Sequence, residues 1–405
     1  MQRYLDATIA RDLQRKLVFV TGPRQVGKTT LSKLLLQAGQ GAAPGVYLNY
    51  DVARDRSQIE RQSWPPDAPL LVLDELHKMP QWKGWLKGVV DGRPAGQQIL
   101  VTGSARMDTF RQSGESLAGR FLSWRLHPIS VREWCDFGEP NAEDQAPADK
   151  AAQAEQTLAK LLLRGGFPEP FLAETDVDAN RWRMKYADGL VREDVLEFSR
   201  IHEVGSMRVL LDLLRDRVGS PLSLASLGRD LQLAQPTIKR YLDILQALYI
   251  VFLVQPWHHN IARSLQQAPK LYFYDTGMVG SQPLEDLSDA ERQTLMGARF
   301  ENAVALMLLK NTHYQQDAYG KAVDLHYLRT KDGAEIDFAL SSGKQLTHMI
   351  ECKWSDPKPA RAFANFGSRW PEAKAVQLVR RLPQSEHYKG VDIVPAAQYL
   401  RQLEA

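Results

Sequence analysis

Two cysteines in 405 residues, Cys135 and Cys352, are too few for a disulfide framework, and such sparing use suits a reducing compartment. Long hydrophobic runs are also lacking. Stretches such as Ala247–Val254 fall well short of the roughly 20 residues that cross a bilayer as a helix. Charges break every apolar stretch of the N-terminal MQRYLDATIARDLQRK, so no secretory signal is expected there. A cytoplasmic protein with no membrane partner is the expectation. Neither sign of charge dominates, since 51 Lys and Arg oppose 48 Asp and Glu for a net of +3. That balance neither demands nor forbids nucleic acid, because a local basic face can hide in a near-neutral chain. No repeat at a solenoid period is present. With 44% hydrophobic and 24% charged residues, disordered, collagen-like and disulfide-miniprotein classes are excluded. At about 150 residues per domain, two or three domains are expected.

What is there falls into blocks. Up to about residue 135, short apolar runs (Leu17–Val20, Val46–Leu48, Leu70–Leu73, Ile99–Val101) alternate with helical patterns. Continuous apolar runs of that length suggest buried parallel strands in an α/β sheet. Residues 138–157 are rich in Ala, Gln and acids without apolar periodicity, which predicts an exposed acidic linker or long loop. From about 157 to 255 the pattern is helical. The last third returns to strand-like runs: KLYFYD, VDLHYL, AEIDFAL, THMIECKW, AVQLV and VDIVPA. The expected division is therefore 1–137, 138–157, 158–260 and 261–405.

The strongest motif is the loop Gly22-Pro-Arg24-Gln25-Val26-Gly27-Lys28-Thr29-Thr30, which fits G-x-x-x-x-G-K-[ST]. A strand-like LVFVT enters it and an amphipathic TTLSKLLLQ leaves it. The glycines let backbone N–H groups turn around a phosphate at a helix N-terminus. Lys28 is expected on β/γ-phosphate oxygens of ATP, with Thr29 giving Mg²⁺ a hydroxyl. The run Leu70-Leu-Val-Leu-Asp74-Glu75 supplies the partner carboxylates: Asp74 to hold Mg²⁺ through water, Glu75 to polarise the attacking water. A third run, ILVTGSAR, ends in polar side chains that can position that water. Ser104 is the first candidate and Thr102 the second, with an ordinary helix cap at Ser104 as the competing reading. Arg120, just before the strand-like FLSWRL, reads either as an arginine finger across a homo-oligomer or as a surface ion pair.

Residues 207–256 read as a winged helix-turn-helix. In its third helix, opened by Pro236, Ile238, Tyr241, Leu242, Leu245 and Leu248 share one face. Thr237, Lys239, Arg240 and Asp243 are left outward, a spacing suited to a major groove, although many such modules contact protein instead. In the last block, Asp337 on one strand is followed by Glu351 and Lys353 on the next, with Glu301 on a preceding helix. Two or three carboxylates and a lysine converging this way can bind Mg²⁺ and activate water against a phosphodiester; the bland alternative is a Glu351–Lys353 salt bridge on an inert scaffold.

The whole chain resembles a prokaryotic family of AAA-type P-loop ATPases that carry a C-terminal domain of unknown function related to PD-(D/E)XK nucleases. The features that carry the resemblance are GPRQVGKTT at 22–30, LVLDELHK at 71–78, LVTGSAR at 100–106, LAGR at 117–120 and HPISVREW at 127–134. It continues through GGFPEPF at 165–171, VREDV at 191–195, KLYFYDTGM at 270–278, GARFENAV at 297–304 and IECKW at 350–354. The resemblance implies an ATPase core with a parallel sheet, a helical and winged-helix segment, and an α/β restriction-endonuclease-like domain. Glu301, Asp337, Glu351 and Lys353 match the nuclease-like pattern. The implied partners are ATP with Mg²⁺, and duplex or branched DNA. The acidic insertion at 138–157 departs from the pattern.

Overall fold

The computed structural model describes residues 1–38, 44–103, 117, 119–138, 147–189, 202–257, 268–280, 282, 284–330 and 332–405. They form two compact units, Met1–His127 with Ala247–Tyr249, and Pro128–Gln246 with Ile250–Ala405.

The first unit is built on five parallel strands: β1 (Leu17–Thr21), β2 (Val46–Asn49), β3 (Leu70–Asp74), β4 (Gln98–Gly103) and β5 (Phe121–Arg125). Their order is β2-β3-β4-β1-β5. All four apolar runs named above are strands. β1 and β3 are buried along their whole length, as expected of parallel strands covered on both faces. On one face Phe19 meets Trp82 and Phe121 edge-on, with centroids 5.8 and 5.1 Å apart. This order sets the C-terminal ends of β1, β4 and β3 side by side, where α/β sheets place their ligands.

In the second unit, the described part of the segment read as a linker needs correction, while residues 139–146 of it lie outside the described residues. Residues 147–157 are not loop but the first turns of an 18-residue helix, Pro147–Arg164. Alanine, the strongest helix former, dominates there and hides the stripe of Ala154, Leu158, Leu161 and Leu162 that is buried. Three helices, His202–Arg215, Leu224–Leu231 and Gln235–Ala247, then precede an antiparallel pair, β6 (Val251–Pro256) and β7 (Lys270–Phe273). The turn between the last two helices requires Gly228: a Cβ there would lie 2.7 Å from the Leu233 carbonyl, whose own N–H donates to Gly228 O at 2.9 Å. Ile238, Tyr241, Leu242 and Leu245 are buried, while Lys239, Arg240 and Asp243 are exposed.

β6 and β7 form one end of an eight-stranded sheet with β8 (Val323–Arg329), β9 (Glu335–Ser342), β10 (Gln345–Lys353), β11 (Lys374–Val379), β12 (Glu386–Tyr388) and β13 (Val391–Pro395). The order is β12-β13-β11-β10-β9-β8-β6-β7. The 31-residue helix Asp289–Tyr319 starts from a Ser288/Glu291 capping box, and its stretch Phe300–Leu308 lies largely inside. Several motifs of the sequence turn out to be tie points. Lys310 in this helix donates to Glu133 Oε2 (2.5 Å), Ser130 Oγ (3.1 Å) and Pro128 O (3.2 Å). Asp275 accepts from the N–H groups of Gly166, Phe167 and Gly277 at 2.8, 3.3 and 2.7 Å. No helix among the described residues is long and apolar enough to cross a membrane.

Candidate nucleotide site and a second carboxylate cluster

The loop 22–27 joins β1 to the helix Lys28–Ala38. Gly22 and Gly27 have φ of +150° and +103°, which side chains disfavour. A Cβ on Gly22 would also run into the carbonyl of Leu126. Val26 is packed at zero exposure, and its carbonyl accepts from Arg3 Nη1 at 2.6 Å, while Arg3 Nη2 donates to His127 O at 2.7 Å. A buried arginine from the chain start thus braces the loop. Arg24 is half-buried, whereas Gln25, Thr29 and Thr30 are exposed. Lys28 Nζ donates to Gly22 O (3.0 Å) and Pro23 O (2.6 Å). Burial pulls its pKa down to about 8, against the attraction of Glu75 and Asp74.

Asp74, 2% exposed, is the hub. Its Oδ2 accepts from Thr29 Oγ1 at 2.8 Å and Tyr47 OH at 2.5 Å. Its Oδ1 accepts from the Thr102 hydroxyl and, at 3.1 Å, from the Glu75 N–H. Register explains this, because Asp74 lies opposite Thr102 on β4 and Asn49 on β2. Thr102 therefore sits at the strand tip next to Asp74, and Ser104 lies outside the described residues. Glu75 holds a left-handed backbone (φ 56°, ψ 26°), which its N–H supports through Thr102 O at 3.0 Å. His77 Nε2 lies 3.5 Å from Glu75 Oε2. Burial raises the pKa of Glu75, Lys28 opposes that rise, and Asp74 adds to it. A hydroxyl and a carboxylate side by side are oxygen ligands that suit Mg²⁺, so Thr29 and Asp74 fit the ion, while Lys28, whose ammonium is turned to the loop carbonyls, suits a polyphosphate.

Sequence reasoning missed Tyr47, Arg3 and His77 here. Only the alternation of β2 could have pointed to Tyr47, and nothing local marks Arg3. Tyr47→Phe should raise the Mg²⁺ concentration for half-maximal ATP hydrolysis about tenfold, as loss of a group orienting a metal-side carboxylate does. A Mg²⁺ titration of phosphate release checks this, and an unmoved midpoint would remove Tyr47 from the site. Arg120 takes the ion-pair form of its two readings, with Nε and Nη2 at 2.9 and 3.3 Å from the Asp91 carboxylate on the surface.

In the second unit the expected residues do converge. Asp337 N donates to Glu351 Oε2 at 3.3 Å, Asp337 Oδ2 accepts from Cys352 N at 2.9 Å, and Lys353 Nζ lies 2.7 Å from Glu351 Oε1. A residue not foreseen joins them. Lys270 Nζ, on β7, lies 2.6 Å from Glu335 Oε1 and 3.5 Å from both Glu301 Oε1 and Asp337 Oδ1. Tyr272 OH donates to Glu301 at 2.8 Å. Burial and then Asp337 push the pKa of both Glu301 and Glu351 upward. Burial alone would lower Lys270, but Glu301, Asp337 and Glu335 together hold it above its ordinary value. These residues do not fit the metal expected on Glu301, Asp337 and Glu351, because a protonated side chain already lies against two of the three. Among the described residues, no three His, Cys, Asp or Glu side chains are arranged to hold a metal ion.

Comparison with known proteins places an AAA domain at residues 14–135. Two domains of unknown function, DUF8612 and DUF4143, match residues 155–288 and 296–399. The chain is 30% identical over 364 residues to an uncharacterized protein of Mycobacterium tuberculosis, covering 88% of this chain and 75% of that one. An uncharacterized Mycobacterium bovis protein matches equally, and one from Methanocaldococcus jannaschii is 24% identical over 275 residues, 67% of this chain and 58% of its own. Among solved structures, the Thermotoga maritima RuvB Holliday junction branch migration motor is similar at 15% identity and a TM-score of 0.29, over 62% of this chain and 85% of that one. The chain thus contains an AAA-type ATPase domain, followed by further α/β structure.

Proposed function

This chain belongs to the same family as the uncharacterized mycobacterial proteins, and from that premise we propose that it is a Mg²⁺-dependent ATP hydrolase acting on DNA. The observation that carries the reading is Asp74, hydrogen-bonded to Thr29 and followed by Glu75, at the same sheet edge as the glycine loop. ATP would bind with its phosphates against the backbone of residues 22–30, including Arg24, Gln25 and Thr30, while Lys28 exchanges two carbonyls for β/γ-phosphate oxygens. Thr29 and Asp74 would hold Mg²⁺, which would neutralise charge on the phosphates. Glu75 takes the proton of the attacking water, and Thr102 fixes Asp74. An Arg120 contribution to a neighbouring subunit of a homo-oligomer would require exchanging Asp91 for a γ-phosphate.

For the second unit, three helices and the β6–β7 pair support a winged helix whose third helix offers Lys239 and Arg240 to a groove. The long helix followed by the β8–β9–β10 meander and parallel β11 supports a restriction-endonuclease-like fold for residues 261–405. No cleavage step is assigned to it, since its carboxylates meet Lys270. The test is phosphate release from Mg²⁺-ATP with and without duplex or branched DNA, paired with filter binding across a salt series. Release that rises with DNA, and binding that weakens steeply with salt, are expected. The Lys239→Ala/Arg240→Ala variant should lose the DNA-dependent part and flatten the log–log salt slope by about 2. No phosphate release above background would overturn the hydrolase. Release indifferent to DNA, with no salt-sensitive binding, would leave a nucleotide-dependent scaffold for a protein partner.

A further inference from the structure

We propose that the carboxylate cluster of the second unit carries its cation as a side chain: the ammonium of Lys270 takes the place of a divalent ion, so this centre binds no metal and is a structural hub. An ammonium has three N–H donors, and here three carboxylates surround it at 2.6, 3.5 and 3.5 Å. The lysine side chain is 1% exposed. Its backbone is held as firmly as its head. Lys270 pairs with Val254 across the β6–β7 ladder and bridges to Pro221, while Leu222 N donates to Pro269 O at 2.8 Å and Gly219 N to Leu271 O at 3.1 Å.

The carboxylate oxygens nearest the centre are engaged as well. Glu301 Oε1 has Tyr272 and Lys270, Asp337 has Lys270 on one oxygen and Cys352 N on the other, and Glu351 has Lys353 and Asp337 N. Arg329 Nη1 lies 2.9 Å from the second oxygen of Glu335. Four carboxylates thus face three protein cations, which leaves little net attraction for an added double charge. Mg²⁺ would demand oxygens at about 2.0–2.1 Å in an octahedron and would sit against a like-charged ammonium. What the cluster does instead is join elements. It ties β7, β9, β10 and the long helix to the segment leaving helix His202–Arg215, where Gly219 lies so close that a Cβ would come 2.7 Å from Glu301 Oε1.

The experiment is Mn²⁺ binding by the full chain without nucleotide, followed by the electron paramagnetic resonance of free Mn²⁺. It is independent of the ATPase reading. Wild type and Asp337→Asn should bind the same amount, and Lys270→Met, which removes only the charge, should gain one site per chain. That gained site should vanish in Lys270→Met/Asp337→Asn. A wild-type site that Asp337→Asn loses would overturn the proposal, as would a folded Lys270→Met chain with no added site. Should Lys270→Met fail to fold, the wild-type and Asp337→Asn pair decides alone: equal binding upholds the proposal and a lost site refutes it.

Discussion

Glu75→Gln is expected to keep ATP binding while lowering steady-state hydrolysis by about 10²-fold or more. The substitution is nearly isosteric, so the left-handed turn at this residue and its N–H bond to Thr102 O survive. What disappears is the ability to accept a proton from water. Burial raises the pKa of Glu75, which strengthens it as a base while Lys28 keeps the carboxylate form accessible. The proposed nucleotide grip lies elsewhere, on the loop amides and Lys28, so affinity measured by calorimetry should change little. Phosphate release measured alongside checks the other half. Undiminished turnover in the variant would move the base to another group.

The second large effect concerns stability. Glu133→Gln should destabilise the second unit by about 3–5 kcal/mol, because it removes the carboxylate that lies 2.5 Å from the buried Lys310 ammonium. Glu133 and Lys310 side chains are 0% and 1% exposed and 2.5 Å apart, so no water screens the loss. Ser130 and Pro128 still accept from Lys310, but neutral acceptors do not replace a carboxylate. The double variant Glu133→Gln/Lys310→Met should be less destabilised than Glu133→Gln alone, since it removes the buried positive charge as well. Urea unfolding of the three chains provides the comparison. A single-variant cost below about 1 kcal/mol would mean that this pair is not the anchor its burial implies.

The convergence of the candidate nucleotide-site residues was legible because it follows from short spacing. Lys28 and Thr29 follow a glycine turn, and Asp74 and Glu75 end an apolar strand, so one sheet edge gathers them. Tyr47 and Arg3 were not legible, because each acts through a contact made only when distant segments meet. Arg3 reaches the carbonyl of Val26, 23 residues away, and a carbonyl leaves no mark on the sequence. The same holds for Lys270, which reads as the first residue of a strand and becomes an ion-pair centre only once Glu335 and Asp337 lie across from it. Strands with continuous apolar runs were readable. β12 was not, since Glu386, His387 and Tyr388 are all exposed and only backbone pairing to β13 makes them a strand. The helix from Pro147 was masked by alanines that look like linker composition.

The pairing of β6 with both β7 and β8 carries the hydrogen-bonded sheet across the compositional change. A compositional boundary near residue 260 falls inside one continuous hydrogen-bonded ladder, between strands that complete each other. Cutting there would strip β6 and β7 of each other and bare a row of backbone groups. The three helices that lead into β6 and the strands that follow are therefore tied through one sheet. Removing the strands after residue 260 would leave β6 without either of its hydrogen-bonded neighbours.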